Sequence, residues 1–452
     1  MLSITHRRLK LATIVLSAFG VLPASAQTII EDIKITASDA AAGDRFGKSV
    51  AISGTTAIVG AFFDDDAGSF SGSAYLFDTV TGQELFKLTA SDAAAGDEFG
   101  TSVAISGTTA IVGANGNDDG GSAYLFDTET GLQIAKLTAS DAAAGDLFGI
   151  SVAISGTIAI VGAVGDDIVG NNSGSAYLFD TTTGNQLFRL IANDADEGDR
   201  FGDSVDISGS TAIVGAPNNS DAGQFSGSAY VFDTKTGKQL IKLTAPDAAA
   251  RDFFGQSVGI FGMTAIVGTF ITNDEDSEPG SAYLFDIENG IQIAKLTASD
   301  AAGQDLFGSS VGISGTTAIV GAYFDDDAGS RSGSAYLFDS ATGQQLFKLA
   351  ASDAAAEDDF GRSVAISGTK AIVGAPIDTV VFTVSGSAYV FDTVVLPCPA
   401  DMTGDGQLNF FDVSRFLFWF NLNHPNADFT GDGEFNFFDV SAFLLAFAEG
   451  CP

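Results

Sequence analysis

Residues 46–88 read FGKSVAISGTTAIVGAFFDDDAGSFSGSAYLFDTVTGQELFKL, and this stretch decides the fold. It contains four short segments, SVAIS, TAIVGA, GSAYLFD and ELFKL, that are apolar or alternating and rich in β-branched and aromatic residues. Gly, Asn and Asp separate them, which is the signature of strands and tight turns. The opening pair recurs as Phe46-Gly47, Phe99-Gly100, Phe148-Gly149, Phe201-Gly202, Phe254-Gly255, Phe307-Gly308 and Phe360-Gly361, every 53 residues except for one step of 49. Four strands in a repeat of about 50 residues point to propeller blades rather than to a helical solenoid.

Within GSAYLFD, Tyr75 and Phe77 face one side of the strand while Ala74 and Leu76 face the other. The same alternation returns at Tyr124, Tyr177, Tyr230, Tyr283, Tyr336 and Tyr389, so these tyrosines read as core architecture. The ends of the array are informative. Residues 31–36, EDIKIT, and then Ala37-Ser38-Asp39 match the fourth-strand segment ELFKLTASD, whereas the seventh unit stops at GSAYVFDTVV. A strand over residues 29–36 is therefore expected to complete the last blade and close the ring, leaving no open sheet edge. The expected fold is an all-β seven-bladed propeller over 27–395, with a small all-α module over 396–452.

This grammar resembles the FG-GAP repeat family, whose propellers form integrin α-subunit heads and occur in exported bacterial proteins. The resemblance covers residues 29–393. Phe-Gly is kept in all seven units, and Gly-Ala-Pro in full at Gly215-Ala216-Pro217 and Gly374-Ala375-Pro376. The integrin-type calcium loop, D-x-D-x-D-G, is replaced by the short turn Ser53-Gly54-Thr55-Thr56 and its copies, so calcium is not carried over to the blades.

Of 452 residues, 57 are acidic and 20 basic, a net charge of −37. Without residues 1–26, which hold Arg7, Arg8 and Lys10 and no acid, the charge is −40. That balance excludes a phosphate-tracking nucleic-acid binder and argues against docking on anionic lipid. Residues 1–26 combine a basic start, an apolar run from Leu11 to Leu22 and the small-residue site Ala24-Ser25-Ala26. This is an export signal, too short to anchor in a bilayer. The mature chain is expected to be secreted, extracellular or at the cell surface, with the periplasm as the alternative, and without a membrane span.

Strands alternate in direction, so the SGTT and TG turns share one face. The second-to-third loops and the blade connections share the other, where Asp64-Asp65-Asp66, Asp118-Asp119, Asp166-Asp167, Asp274-Glu275-Asp276 and Asp325-Asp326-Asp327 collect. Long loops on a rigid scaffold are the usual place for recognition, here of a protein or glycan. Plain solvation of an exported surface is the competing account of these acids. The Asp pairs of the connections, such as Asp39 with Asp44, read as turn and capping devices. The irregular fifth unit, with Arg251, Phe261 and Met263, is where a singular site is expected. Histidine occurs only at His6 and His424, so no Ser/His/Asp or Cys/His set can form in the propeller, and no catalytic residue is assigned. GSAYLFDTxTGxQ is also similar to quinone-dehydrogenase propellers, but these carry a Trp in each blade and Trp419 is the only one here.

After Val395 two copies follow, DMTGDGQLNFFD (401–412) and DFTGDGEFNFFD (428–439). Each places oxygens at positions 1, 3, 5, 7, 9 and 12 around a Gly at position 6, the spacing a calcium loop requires. The expected Ca²⁺ ligands are Asp401, Thr403, Asp405, Gln407, Asn409 and Asp412 at one site, and Asp428, Thr430, Asp432, Glu434, Asn436 and Asp439 at the other. After each loop, Val413/Phe416/Leu417/Phe420 and Val440/Phe443/Leu444/Phe447 follow helical spacing. Thr at position 3 and Asp at position 12 depart from the EF-hand pattern. Paired loop-helix halves with Asp at position 12 resemble dockerins. Cys398-Pro399 and the terminal Gly450-Cys451-Pro452 resemble the GC-type dockerin, taken as an anchoring or sorting module. Cys398 and Cys451, the only cysteines of an exported chain, are expected to form one disulfide, for which the loop-entropy model gives at most about 4 kcal/mol. By the same resemblance Phe410, Phe411, Phe437 and Phe438 are partner-binding candidates for a cohesin-like or cell-surface protein.

The chain thus reads as an exported, non-enzymatic binding or adhesion protein with a calcium-binding attachment module. Two alternatives stay open: a carbohydrate-active enzyme component targeted by its dockerin, and a structural surface-layer protein.

Overall fold

The computed structural model describes residues 27–117, 120–269, 279–380, 383–393, 400, 402, 408–421, 427, 429 and 434–449. The signal-like segment, Cys398, Cys451 and Asp118-Asp119 lie outside them, as does most of the fifth unit's acidic loop.

The repeat folds as its alternation dictates. In the first unit Ser49–Ser53, Thr56–Ala61, Ser73–Asp78 and Glu84–Leu88 pair in sequence order as one antiparallel sheet, and the second to sixth units repeat this order. The turn after the third strand is an Asx turn: the Asp78 carboxylate accepts the Val80 and Thr81 N–H groups and the Thr81 hydroxyl. The first strands, from Ser49–Ser53 round to Ser363–Ser367, touch one another in ring order and line the axis. Seven such sheets form a closed seven-bladed β-propeller.

Blades stack small face on large face. Ile58, Ala74 and Leu76 of the first blade pack with Phe99, Val103, Tyr124 and Phe126 of the second. The Phe-Gly phenylalanine sits between sheets, Phe46 meeting Tyr75 and Phe77 edge-on at 5.5 and 5.8 Å. Its glycine partner is dictated by space and backbone together. Gly47 has φ +90°, and a Cβ there would lie 2.2 Å from the Ser387 carbonyl oxygen of the seventh blade. The serine of FGxS has an equally local reason, since Ser49 Oγ donates to the Gly100 carbonyl of the next blade. The series ends with Ser363 donating to Gly47, which joins the seventh blade to the first.

The closure strand differs from expectation in extent. Ile33–Ile35 pairs antiparallel with Ser387–Asp392 and is the fourth strand of the seventh blade. Residues 29 and 30 do not belong to it. Gln27–Ile30 forms a separate strand, parallel to Gln345–Ala350, and becomes a fifth strand on the sixth blade. The chain changes sheet at Glu31 and Asp32, whose carboxylates accept from Ser352 and from the Asp392 N–H across the junction.

At the C-terminus lie two helices, α1 (Phe410–Asn421) and α2 (Phe437–Glu449). Each starts with a reciprocal capping box. Asn409 Oδ1 accepts the Phe411 N–H while Asp412 accepts the Asn409 N–H, and Asn436 with Asp439 repeats the arrangement. The helices meet through Phe416 and Phe443, stacked at 4.1 Å, in a small core of their own. Leu417 and Leu444, expected on the apolar face, are instead exposed.

Candidate binding face

The acidic loop face is organised by one basic residue per blade. In the first blade Lys87, on the fourth strand, places Nζ 2.6 Å from Asp39, 3.1 Å from Asp64 and against Asp66. The same ammonium lies 5.3 Å from the centre of the Tyr75 ring, and the single proton of the Tyr75 hydroxyl is shared between Asp39 and Asp64, at 2.9 and 3.0 Å. Lys34, Lys136, Arg189, Lys242, Lys295 and Lys348 occupy the corresponding place over Tyr389, Tyr124, Tyr177, Tyr230, Tyr283 and Tyr336. Lys34 comes from the closure strand and binds Asp353 and Asp378, so the N-terminal segment completes this feature as well as the sheet.

Strand alternation and turn chemistry do not single out this cation, although the sequence carries its signal: a Lys or Arg at one repeat position in every unit of an otherwise acidic chain. The three-carboxylate groups Asp39/Asp64/Asp66 and Asp300/Asp325/Asp327 have the geometry of a metal cage. Each already holds an ammonium, Lys87 or Lys348. Burial opposes ionisation of Asp39, yet hydrogen bonds from Lys87 and Tyr75 hold its carboxyl below the usual carboxylate range. The balance depends on one position. Where the loop offers Asp64, Asp166, Asp325 or Asp378, the tyrosine hydroxyl donates to that carboxylate. Where it offers Asn117 or Asn219, the buried Tyr124 and Tyr230 hydroxyls make no such bond to the loop.

The second Asp of each connection is a turn cap, Asp44 accepting the Ala41 N–H and Asp305 the Ala302 N–H. Burial pushes the Asp305 carboxyl up to about 6, against that hydrogen bond and with help from Asp325 and Asp326. Just before Phe-Gly, Arg45, Glu98, Leu147, Arg200, Phe253, Leu306 and Asp359 all adopt φ between 50 and 60°. Non-glycine residues seldom take this conformation, and here it recurs at the same place in all seven units. Cavities open among these loops. One, of about 490 Å³ in the third blade, is lined by Asp141, Asp146, Asp166, Asp167, Asn171 and Asn172. Another lies between the first, sixth and seventh blades; most of the acidic loop of the irregular fifth unit lies outside the described residues.

Of the expected calcium ligands, Asn409, Asp412, Glu434, Asn436 and Asp439 are described; the other seven lie outside the described residues, as do both cysteines. Asp412 and Asp439 are fully buried, each spending one oxygen on a helix cap. The only Lys or Arg after residue 395 is Arg415, so two buried carboxylates sit in a module poor in positive side chains. Such a donor set fits a hard divalent cation. Phe410, Phe411, Phe437 and Phe438 are 67–76% exposed, so none of the four fills the core. No helix among the described residues is long and apolar enough to cross a membrane.

A family model described as FG-GAP repeat matches seven stretches, residues 30–77, 83–126, 132–179, 185–232, 238–285, 291–338 and 344–391. Each begins at or shortly before the fourth strand that precedes a blade and ends on the third strand within it, the same offset that closes the ring. No curated protein matches the chain.

Proposed function

We propose, for a chain that belongs to the FG-GAP repeat family, that the propeller is an exported, non-enzymatic module for binding or adhesion whose loop face meets a protein or glycan. The observation that supports this reading is the asymmetry between the two faces. One carries only short turns; the other carries long loops whose strained backbone and lysine-held carboxylates are fixed in advance of any partner. The repeat also makes its carboxylate environments nearly alike from blade to blade, which suits a display surface better than an acid/base pair.

The C-terminal module is the attachment half of the proposal. Asp401, Thr403, Asp405, Gln407, Asn409 and Asp412 would hold one Ca²⁺, and Asp428, Thr430, Asp432, Glu434, Asn436 and Asp439 a second. Bound Ca²⁺ would neutralise the buried carboxylates and stiffen the loops ahead of α1 and α2. The exposed phenylalanine pairs at the helix starts are suited to an apolar docking patch for a cohesin-like or cell-surface protein.

The mature chain, probed on a glycan array and in pull-downs, is expected to bind through the propeller with and without calcium. Attachment through the helical module is expected to require calcium. Adding EGTA should lower a separate melting transition, and Asp412→Ala with Asp439→Ala should remove that calcium effect. An unchanged melt in EGTA would refute the metal assignment, and product formation from a bound glycan would refute the non-enzymatic reading.

A further inference from the structure

Beyond residue 26 and apart from the seven clamps, this acidic chain has ten Lys or Arg residues, and four of them line one cavity. Arg45, Lys48, Arg331 and Arg362 surround a space of about 450 Å³ on the loop face. The cavity also breaks the symmetry of the repeat. The two positions after the second strand are Asn115-Gly116, Val164-Gly165, Pro217-Asn218 and Pro376-Ile377 in four units. In the first and sixth units they are Phe62-Phe63 and Tyr323-Phe324, with ring centres 3.9 and 4.7 Å apart, and both pairs line the cavity.

The charges here are not balanced. Arg331 spends its guanidinium on Asp359, at 2.8 and 2.9 Å, and lies 4.4 Å over the Phe324 ring. Arg362 lies 4.4 Å over the Tyr323 ring, which leaves the edge of its guanidinium for a ligand. Among the described residues no carboxylate lies within 4.0 Å of the charged groups of Arg45, Lys48 or Arg362. Burial, then the charges of Arg362 and Arg45, push the Lys48 ammonium down to about 8 despite Asp359. An uncompensated group of cations, walled by aromatic rings, is built for an anion with an apolar flank.

We infer that this cavity binds an acidic sugar, its carboxylate or sulfate held by Arg362, Lys48 and Arg45 and its C–H face laid on the aromatic pairs. The volume is that of a small-molecule site. The net negative charge elsewhere on the chain repels an anion from competing surfaces, so the cavity supplies both affinity and location. The inference rests on the reading of the loop face as the recognition surface and narrows its ligand class.

Calorimetric titration of the mature chain, residues 27–452, with a glucuronate-containing disaccharide, a sulfated disaccharide and a neutral disaccharide tests this assignment. At least one anionic probe should bind ten-fold or more tightly than the neutral one, and the two anionic arms separate carboxylate from sulfate. Arg362→Gln and Lys48→Gln, each checked for an unchanged melt, should weaken that probe at least ten-fold, and Phe63→Ala several-fold. Equal or absent binding of all three probes overturns the assignment. So does preference for an acidic peptide, or anion binding that survives both cation variants. A glycan or protein that still binds the loop face of Arg362→Gln and Lys48→Gln would sink this site while leaving the broader binding role intact.

Discussion

At the residue scale, the decisive interaction is the basic side chain that each fourth strand sends into the acidic loops. Its importance should scale with the carboxylates it serves. Lys348 is almost buried and meets Asp300, Asp325 and Asp327, whereas Lys136 is more exposed and, among the described residues, pairs with Asp92. Lys348→Gln is therefore expected to cost about 3 kcal/mol in urea unfolding, because it leaves a buried carboxylate uncompensated. Lys136→Gln should cost about 1 kcal/mol or less. Equal losses would show that carboxylate number does not set the cost. Phe261 offers a test in the opposite direction. In other units the serine at this position accepts the turn N–H of the next blade, as Ser53 does from Gly107 and Ser208 from Gly262. Phe261 cannot, and it lies exposed. Phe261→Ser should restore the bond to Gly315 and stabilise the protein by about 1 kcal/mol, and a drop in stability would contradict this account.

At the scale of elements, the N-terminal segment is two strands with different roles. Ile33–Ile35 gives the last blade its fourth strand, buries Ile35 and supplies the seventh clamp through Lys34. Gln27–Ile30 extends the sixth sheet, with Ile29 half-buried against its core and Ile30 exposed. Removing residues 27–30 should leave the melting temperature within about 3 °C, while removing 27–38 should lower it by 10 °C or more. Equal effects of the two deletions would contradict the separation. The closure strand was legible because EDIKIT copies the fourth-strand pattern. Its exact extent was not, since parallel pairing onto the sixth blade has no counterpart in the repeat from which to read it.

For the whole molecule, carboxylates of opposite tendency set the response to pH. Burial raises Asp206, Asp305 and Asp358 to about 6, against backbone hydrogen bonds that partly offset it. Their folded values exceed an unfolded value near 4, so the stability they contribute is fully present below about pH 4 and lost as pH rises through about 6. The clamp acids Asp39, Asp92, Asp194, Asp247, Asp300 and Asp353 act in reverse. Burial opposes it, but the paired Lys holds each below the usual range, so their contribution is lost as pH falls through those lower values. The melting temperature should therefore be higher near pH 5 than at pH 7.5 and should fall again below about pH 3. Asp206→Ala, which installs the residue found at Ala51 and Ala104, should flatten part of the rise between pH 7.5 and 5. A monotonic increase toward pH 7.5 would overturn the assignment.

The amino-acid order by itself determined the blade number, the strand order within each blade and the face on which the acids gather. Those properties follow from alternation and turn chemistry inside one repeat, where every relevant contact is local. It also marked Asp412 and Asp439 as special, though their capping role emerges only once the helices are built. The tertiary structure alone decided which charges are neutralised and where the symmetry breaks. Lys87 meets an aspartate 48 residues earlier, and Arg45 joins Arg362 only because the ring brings its first and last blades together. Such pairings depend on which blades the ring stacks together, although the 48-residue step from clamp to aspartate recurs from unit to unit.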